Sequence, residues 1–215
     1  VQDVGSSQAR GSGGDEGSQQ GWKEEICRIL REIQAPLSPL LLRLCHWMLP
    51  KLLSRLFLSV QLPRGQLEMV LRAARKPDVP LVFLCTPQSQ LDGPLLSFLL
   101  LSQGIGVPRV AVGAWISPRL RSLLQCLGGI FLPSGMAQTR RDQDEGLPGA
   151  VLDAYVQEVL QSRQPLVIFL EDLPGSLRLS DPARLWLLRV LRALRDRAVP
   201  DVLLIPVGIA YDVAP

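Results

Sequence analysis

The sequence predicts an α/β domain: a largely parallel sheet flanked by helices and preceded by a helical segment. Three observations carry this. Short runs rich in Val, Leu, Ile and Phe recur at 79–85, 108–113, 130–132, 165–170 and 202–210. Longer segments with apolar residues at helical spacing separate most of them. Strands and helices therefore take turns, the pattern of a parallel sheet with crossover helices.

Residues 1–21 are Gly, Ser and Gln with a few charges. Such a stretch buries too little surface to offset the entropy of ordering and is expected to be disordered. From 22 to 34, Trp22, Ile26, Ile29, Leu30 and Ile33 fall at helical spacing with charges between them. After Pro36 and Pro39, two apolar stretches (40–49 and 51–62) flank Pro50 and carry Arg43, His46, Lys51 and Arg55. They fit either an interfacial helix pair or a helical lid over the core, since both need an amphipathic pattern. Pro63 and Gly65 break the chain, and 66–75 is a short helix. The amphipathic helical segment thus covers 22–76, and the α/β domain runs from 77 to 215.

Within that domain 79–85 is a strand, 93–102 a helix, 108–113 a strand and 117–127 a helix with Arg119 and Arg121 outward. A short strand at 130–132 leads to a charged loop at 139–149 and a helix at 150–162. The segment 165–170 is a buried strand, 181–198 an amphipathic helix stopped before Pro200, and 202–210 a last core strand containing Pro206. In such sheets ligands sit beyond the carboxyl ends of the strands. The loops after Cys85, Leu132, Leu170 and Ala210 are the places to look.

Charge and cysteine usage narrow the function. The net charge of +3 is too small to imply a nucleic-acid partner. Between residues 28 and 76 there are nine Lys/Arg and two Glu on an apolar background. That combination favours an anionic membrane surface over a nucleic-acid groove. No run is long and uninterrupted enough for a transmembrane span. Cys27, Cys45, Cys85 and Cys126 have no CxxC spacing and His46 is the sole histidine, so neither zinc nor any other metal is expected. The four thiols read as reduced and buried.

The four candidate loops read Pro87-Gln88-Ser89-Gln90-Leu91-Asp92, Gly128-Gly129-Ile130-Phe131-Leu132-Pro133-Ser134, Phe169-Leu170-Glu171-Asp172-Leu173-Pro174-Gly175 and Ile205-Pro206-Val207-Gly208-Ile209-Ala210-Tyr211-Asp212. In that order they resemble the four blocks of the glycerol-3-phosphate acyltransferase family, mitochondrial type: His-x4-Asp, Gly-Gly-x-Phe-x-Arg-Arg, Phe-x-Glu-Gly-x-Arg and Ile-Pro-Val. The resemblance covers about two thirds of the chain and implies a glycerolipid-acyltransferase-like fold. It further implies acyl transfer from acyl-CoA, as cosubstrate and without a cofactor, to sn-glycerol 3-phosphate in glycerolipid synthesis. It places the protein at the mitochondrial outer membrane with this domain facing the cytosol, and the chain then reads as a piece of something longer at both ends.

The resemblance assigns Asp92 to catalysis and Gly129, Glu171 and Pro206 to substrate binding. It also exposes what is missing. The family histidine takes the proton from the attacking hydroxyl, and its position here is Pro87. Losing a positioned base removes about 10²–10⁴ of rate. The arginines that hold the substrate phosphate are replaced by Pro133, Ser134 and Pro174, each lost contact being worth on the order of 1.5–3 kcal/mol. Asp172 adds negative charge where the family has Gly; Arg140, Arg141 and Arg178 are the nearby cations that would have to compensate. A catalytically inactive, membrane-associated pseudoenzyme acting as a lipid- or protein-binding scaffold is the alternative reading.

Each residue also has a plainer role. Asp92 suits the N-cap of the helix that follows, before Gly93-Pro94. Glu171 suits a loop carboxylate, His46 a packed or interfacial side chain, and Cys85 a buried strand thiol rather than a nucleophile.

Overall fold

The computed structural model describes residues 16–34, 47, 51, 55, 61–76, 79–112, 117–133, 146–170 and 179–211. The elements are α1 (Glu16–Ile33), α2 (Arg64–Ala74), β1 (Leu81–Thr86), α3 (Asp92–Ser102), β2 (Arg109–Ala111), α4 (Pro118–Cys126), β3 (Gly129–Ile130), α5 (Gly146–Gln161), β4 (Leu166–Phe169), α6 (Asp181–Arg195) and β5 (Leu203–Gly208). The strands form one sheet in the order β3-β2-β4-β1-β5, and every pairing is parallel. The chain moves outward from β1 to β2 and β3, returns with β4 between β2 and β1, and finishes with β5 on the far side of β1.

The period of two along each strand builds a core on both faces. Val82, Ala111, Ile130, Leu166 and Ile168 pack with Ile26 of α1, Val151 of α5 and Trp186 of α6. Phe83, Cys85, Val110, Val167 and Phe169 point the other way, onto Leu96 and Leu100 of α3 and Leu124 of α4. Both faces being covered explains why the strands read as unbroken apolar runs. A charged clamp joins α6 to α5: Nη1 of Arg189, a residue only 1% exposed, lies 3.0 Å from Asp153 Oδ1, and Arg192 Nη1 lies 3.2 Å from Oδ2.

The Gly128-Gly129 pair is demanded by the turn from α4 into β3. Gly128 has φ +98°, and a Cβ there would lie 2.5 Å from the Pro108 carbonyl oxygen. A Cβ on Gly129 would lie 2.8 Å from the Leu124 carbonyl oxygen. Both contacts are with backbone, which cannot swing away.

Several boundaries differ from the sequence expectation. Helix α1 begins at Glu16, inside the stretch expected to be disordered, because an amphipathic helix anchored by Ile26, Ile29 and Ile33 extends at little cost per added residue; residues 1–15 lie outside the described residues. Helix α5 starts at Gly146, taking in the end of the expected loop, and Pro148 is tolerated in its first turn, where N–H groups have no helical partner. The reading of 202–210 as a core strand is corrected. Among the described residues strand β5 pairs only with β1 and lies at the sheet edge, and Leu203, Leu204 and Pro206 are exposed. A proline, which lacks an N–H, is placed most easily on such an edge. The expectation of four buried thiols is corrected too, since Cys27 lies on the exposed face of α1.

Most of 40–62 lies outside the described residues, so the interfacial pair and the lid stay undivided. Trp47, Lys51 and Arg55 are helical and exposed, four residues apart, with Lys51 Nζ 3.9 Å from the Trp47 ring centroid. Among the described residues no helix is long and apolar enough to cross a membrane.

Candidate functional site

The carboxyl ends of β4, β1 and β5 lie side by side, and main-chain bonds join the exit of β4 to β1 and to the start of α6. Leu170 N donates to the Cys85 carbonyl at 2.9 Å, and Ser180 N to the Leu170 carbonyl at 2.8 Å. Asp92 sits at this rim as the first residue of α3 and is fully buried.

The expected capping role of Asp92 is corrected: Leu91 is the N-cap and makes no side-chain cap bond. Helical Cβ atoms tilt toward the N-terminus, so the Asp92 carboxylate reaches backward. Its Oδ2 accepts from Gln88 N at 2.7 Å and from Ser89 N at 3.1 Å. The loop from Pro87 to Leu91 is thereby wound around the carboxylate, whose charge also suits a helix N-terminus.

Asp92 Oδ1 accepts from the Tyr211 hydroxyl, which arrives from the segment after β5. Burial, then the hydrogen bond to Asp92 and its charge, push the Tyr211 phenol well above its ordinary pKa; the Ser89 side chain, bonded to the same phenol, offsets this in part. Asp92 therefore ties the exit of β1 to the exit of β5. The Cys85 thiol is also held protonated, pushed up to about 12 by burial and by the Asp92 charge. Among the described residues no imidazole stands at this rim, and both the phenol and the thiol beside Asp92 keep their protons at neutral pH.

The other expected site residues are scattered. Gly129 opens β3, at the strand end opposite this rim, and is buried against the last turns of α4. Pro206 faces outward on β5, paired with Leu84. Pro87 and Pro133 are buried at the rim. Glu171, Asp172, Pro174 and Arg178 lie outside the described residues, as do Ser134, Arg140, Arg141 and His46.

No family model matches the chain. Individual relatives do. The chain is 49% identical over 197 residues to human glycerol-3-phosphate acyltransferase 2, mitochondrial, which covers 90% of this chain and 24% of the relative. Against the mouse protein of the same name it is 46% identical over 218 residues, 100% of this chain and 27% of the relative. Against pig glycerol-3-phosphate acyltransferase 1, mitochondrial, it is 38% identical over 192 residues, 88% of this chain and 23% of the relative. The chain is homologous to the mitochondrial glycerol-3-phosphate acyltransferases. It spans about a quarter of the length of the curated relatives it matches.

Seen as an acyltransferase homologue, the chain owes its rim to a residue that sequence reasoning gave no role. Tyr211 was legible as a polar aromatic ending an apolar run, and it stands three residues past the end of β5, but nothing in the spacing says that it meets Asp92. Cys85 behaves as the sequence suggests. At pH 8, iodoacetamide is expected to modify Cys27 and to leave Cys85 at least about tenfold slower, because only the thiolate reacts. Peptide mapping by mass spectrometry reads both sites, and equal rates would contradict the assignment.

Proposed function

We propose that this domain is the acyltransferase centre of a glycerol-3-phosphate acyltransferase homologue that has lost its general base. It retains recognition of acyl-CoA and of a glycerol phosphate, and it transfers acyl groups to sn-glycerol 3-phosphate at a rate lowered by about 10²–10⁴. The observation that carries this is the state of Asp92. A hydroxyl attacking a thioester needs an acceptor for its proton that titrates near neutrality and stands within hydrogen-bond reach. Asp92 has both oxygens engaged by Gln88, Ser89 and Tyr211, and is fully buried. The position that carries the base in the family pattern is Pro87, which has no titratable group.

The homologues are named mitochondrial. We place this protein there as well, at the outer membrane with the domain toward the cytosol. Trp47, Lys51 and Arg55 support contact with an anionic surface, since an exposed aromatic stacked under a cation on one helical stripe suits a lipid headgroup layer.

The second reading, a non-catalytic scaffold, is favoured by the same Asp92 bonds, because they give the carboxylate a structural reason to persist without catalysis. Radiolabelled glycerol 3-phosphate and palmitoyl-CoA, supplied to membranes carrying the full-length protein, separate the two. The lapsed enzyme gives slow product above the empty-membrane background, and the scaffold gives none. Turnover equal to that of a histidine-bearing homologue overturns both.

A further inference from the structure

We propose that Arg121 is a phosphate-holding residue of this rim and that the group it takes is a phosphomonoester. The inference rests on the function proposed above, because it assumes that the rim still meets a phosphorylated ligand.

Arg121 lies in the first turns of α4, at the end of that helix nearer the carboxyl ends of the strands. Its side chain is exposed, and its guanidinium carbon stands 4.3 Å from the centroid of the Phe131 ring. Phe131 is itself buried, at 3% exposure, and fixed by its own N–H, which donates to the Ile33 carbonyl at 2.9 Å. The platform under the guanidinium is therefore rigid.

Stacking uses the flat face of a guanidinium and leaves the N–H donors at its edge free to point elsewhere. Among the described residues no carboxylate forms an ion pair with Arg121. Among the described residues the result is a stacked cation whose donor fork meets no carboxylate, the arrangement that suits the paired oxygens of a phosphate.

The position relative to Asp92 is fixed by packing. Leu124, three residues on and on the same face of α4, lies against Gly93, where an added Cβ would be 3.1 Å from Leu124 Cδ2. Gly93 follows Asp92 directly. Arg121 therefore stands one helical turn from the point where α4 touches the start of α3, on the rim side. Pro133, two residues past Phe131, brings no charge to the same loop.

Two sources supply a phosphomonoester here: glycerol 3-phosphate, and the 3′-phosphate of the acyl-CoA. Calorimetric titration of the full-length protein in detergent distinguishes them. The probes are glycerol 3-phosphate, palmitoyl-CoA and palmitoyl-dephospho-CoA. Arg121→Gln is expected to weaken one of the first two about 10–100-fold and to leave palmitoyl-dephospho-CoA within about twofold. Arg121→Lys, which keeps the charge but not the fork, is expected to recover part of the loss. Loss confined to glycerol 3-phosphate assigns Arg121 to the acceptor, and loss confined to palmitoyl-CoA assigns it to the CoA; each supports the proposal. Native-like affinity of Arg121→Gln for both phosphorylated probes overturns it while leaving the proposed function standing. Failure of the native protein to bind any of the three overturns both.

Discussion

Asp92→Ala is expected to lower the unfolding free energy by about 3–5 kcal/mol, one of the largest losses a single change in this domain should cause. Three donors lose their acceptor at once: the main-chain N–H groups of Gln88 and Ser89, and the Tyr211 hydroxyl. Asp92 is fully buried, so water does not simply take its place, and an unsatisfied buried donor costs about 1–3 kcal/mol. The loss also frees the exit of β1 from the exit of β5. Asp92→Asn is expected to cost only about 1–2 kcal/mol. Its amide oxygen can still accept from Gln88 and Ser89 while its NH₂ turns to the Tyr211 oxygen. Urea unfolding with an unchanged slope measures both. Equal losses for Ala and Asn, or no loss for either, would mean that these bonds do not hold the rim together.

The second large effect is a gain. Pro87→His is expected to raise acyl transfer by about 10²-fold or more over the native protein, the usual worth of a positioned base. The site still offers an imidazole what it needs for orientation. A carboxylate has about four acceptor positions, and the bonds described here use three of them on Asp92. Adding Pro133→Arg and Ser134→Arg is expected to raise the rate further at low glycerol 3-phosphate, where phosphate binding limits. In the Pro87→His background Asp92 should become catalytically relevant, and Asp92→Asn should then cost about tenfold or more through loss of imidazole orientation. No gain from Pro87→His would show that the missing base is not what silences the site.

The parallel architecture was legible because both sheet faces are buried, which prints each strand as an apolar run. Its weak points were physical as well. The run at 202–210 looks like a core strand by composition, yet β5 pairs only with β1 among the described residues and leaves Leu204 exposed. Periodicity cannot tell an edge strand from a central one when both are apolar. The start of α5 was hidden by Gly146 and Pro148, which read as loop residues although a first helical turn accepts them. At the site, the absence of a histidine was plain from Pro87 alone. What was not readable was the acceptor role of Asp92. Its backward reach to Gln88 and Ser89 follows from the direction of a helical Cβ, but its bond to Tyr211 spans 119 residues of sequence and exists only once β5 lies beside β1. Arg121 was legible as an exposed helix residue and no more, because its platform, Phe131, comes from the next strand's exit.

The most direct test of the account is the turnover of the full-length protein with and without Asp92→Asn in the native, proline-bearing background. A carboxylate spent on holding two loops together should leave the rate within about threefold once the folded fraction is matched. A fall of more than about tenfold in a variant that is still folded would place Asp92 in the chemistry and contradict the account.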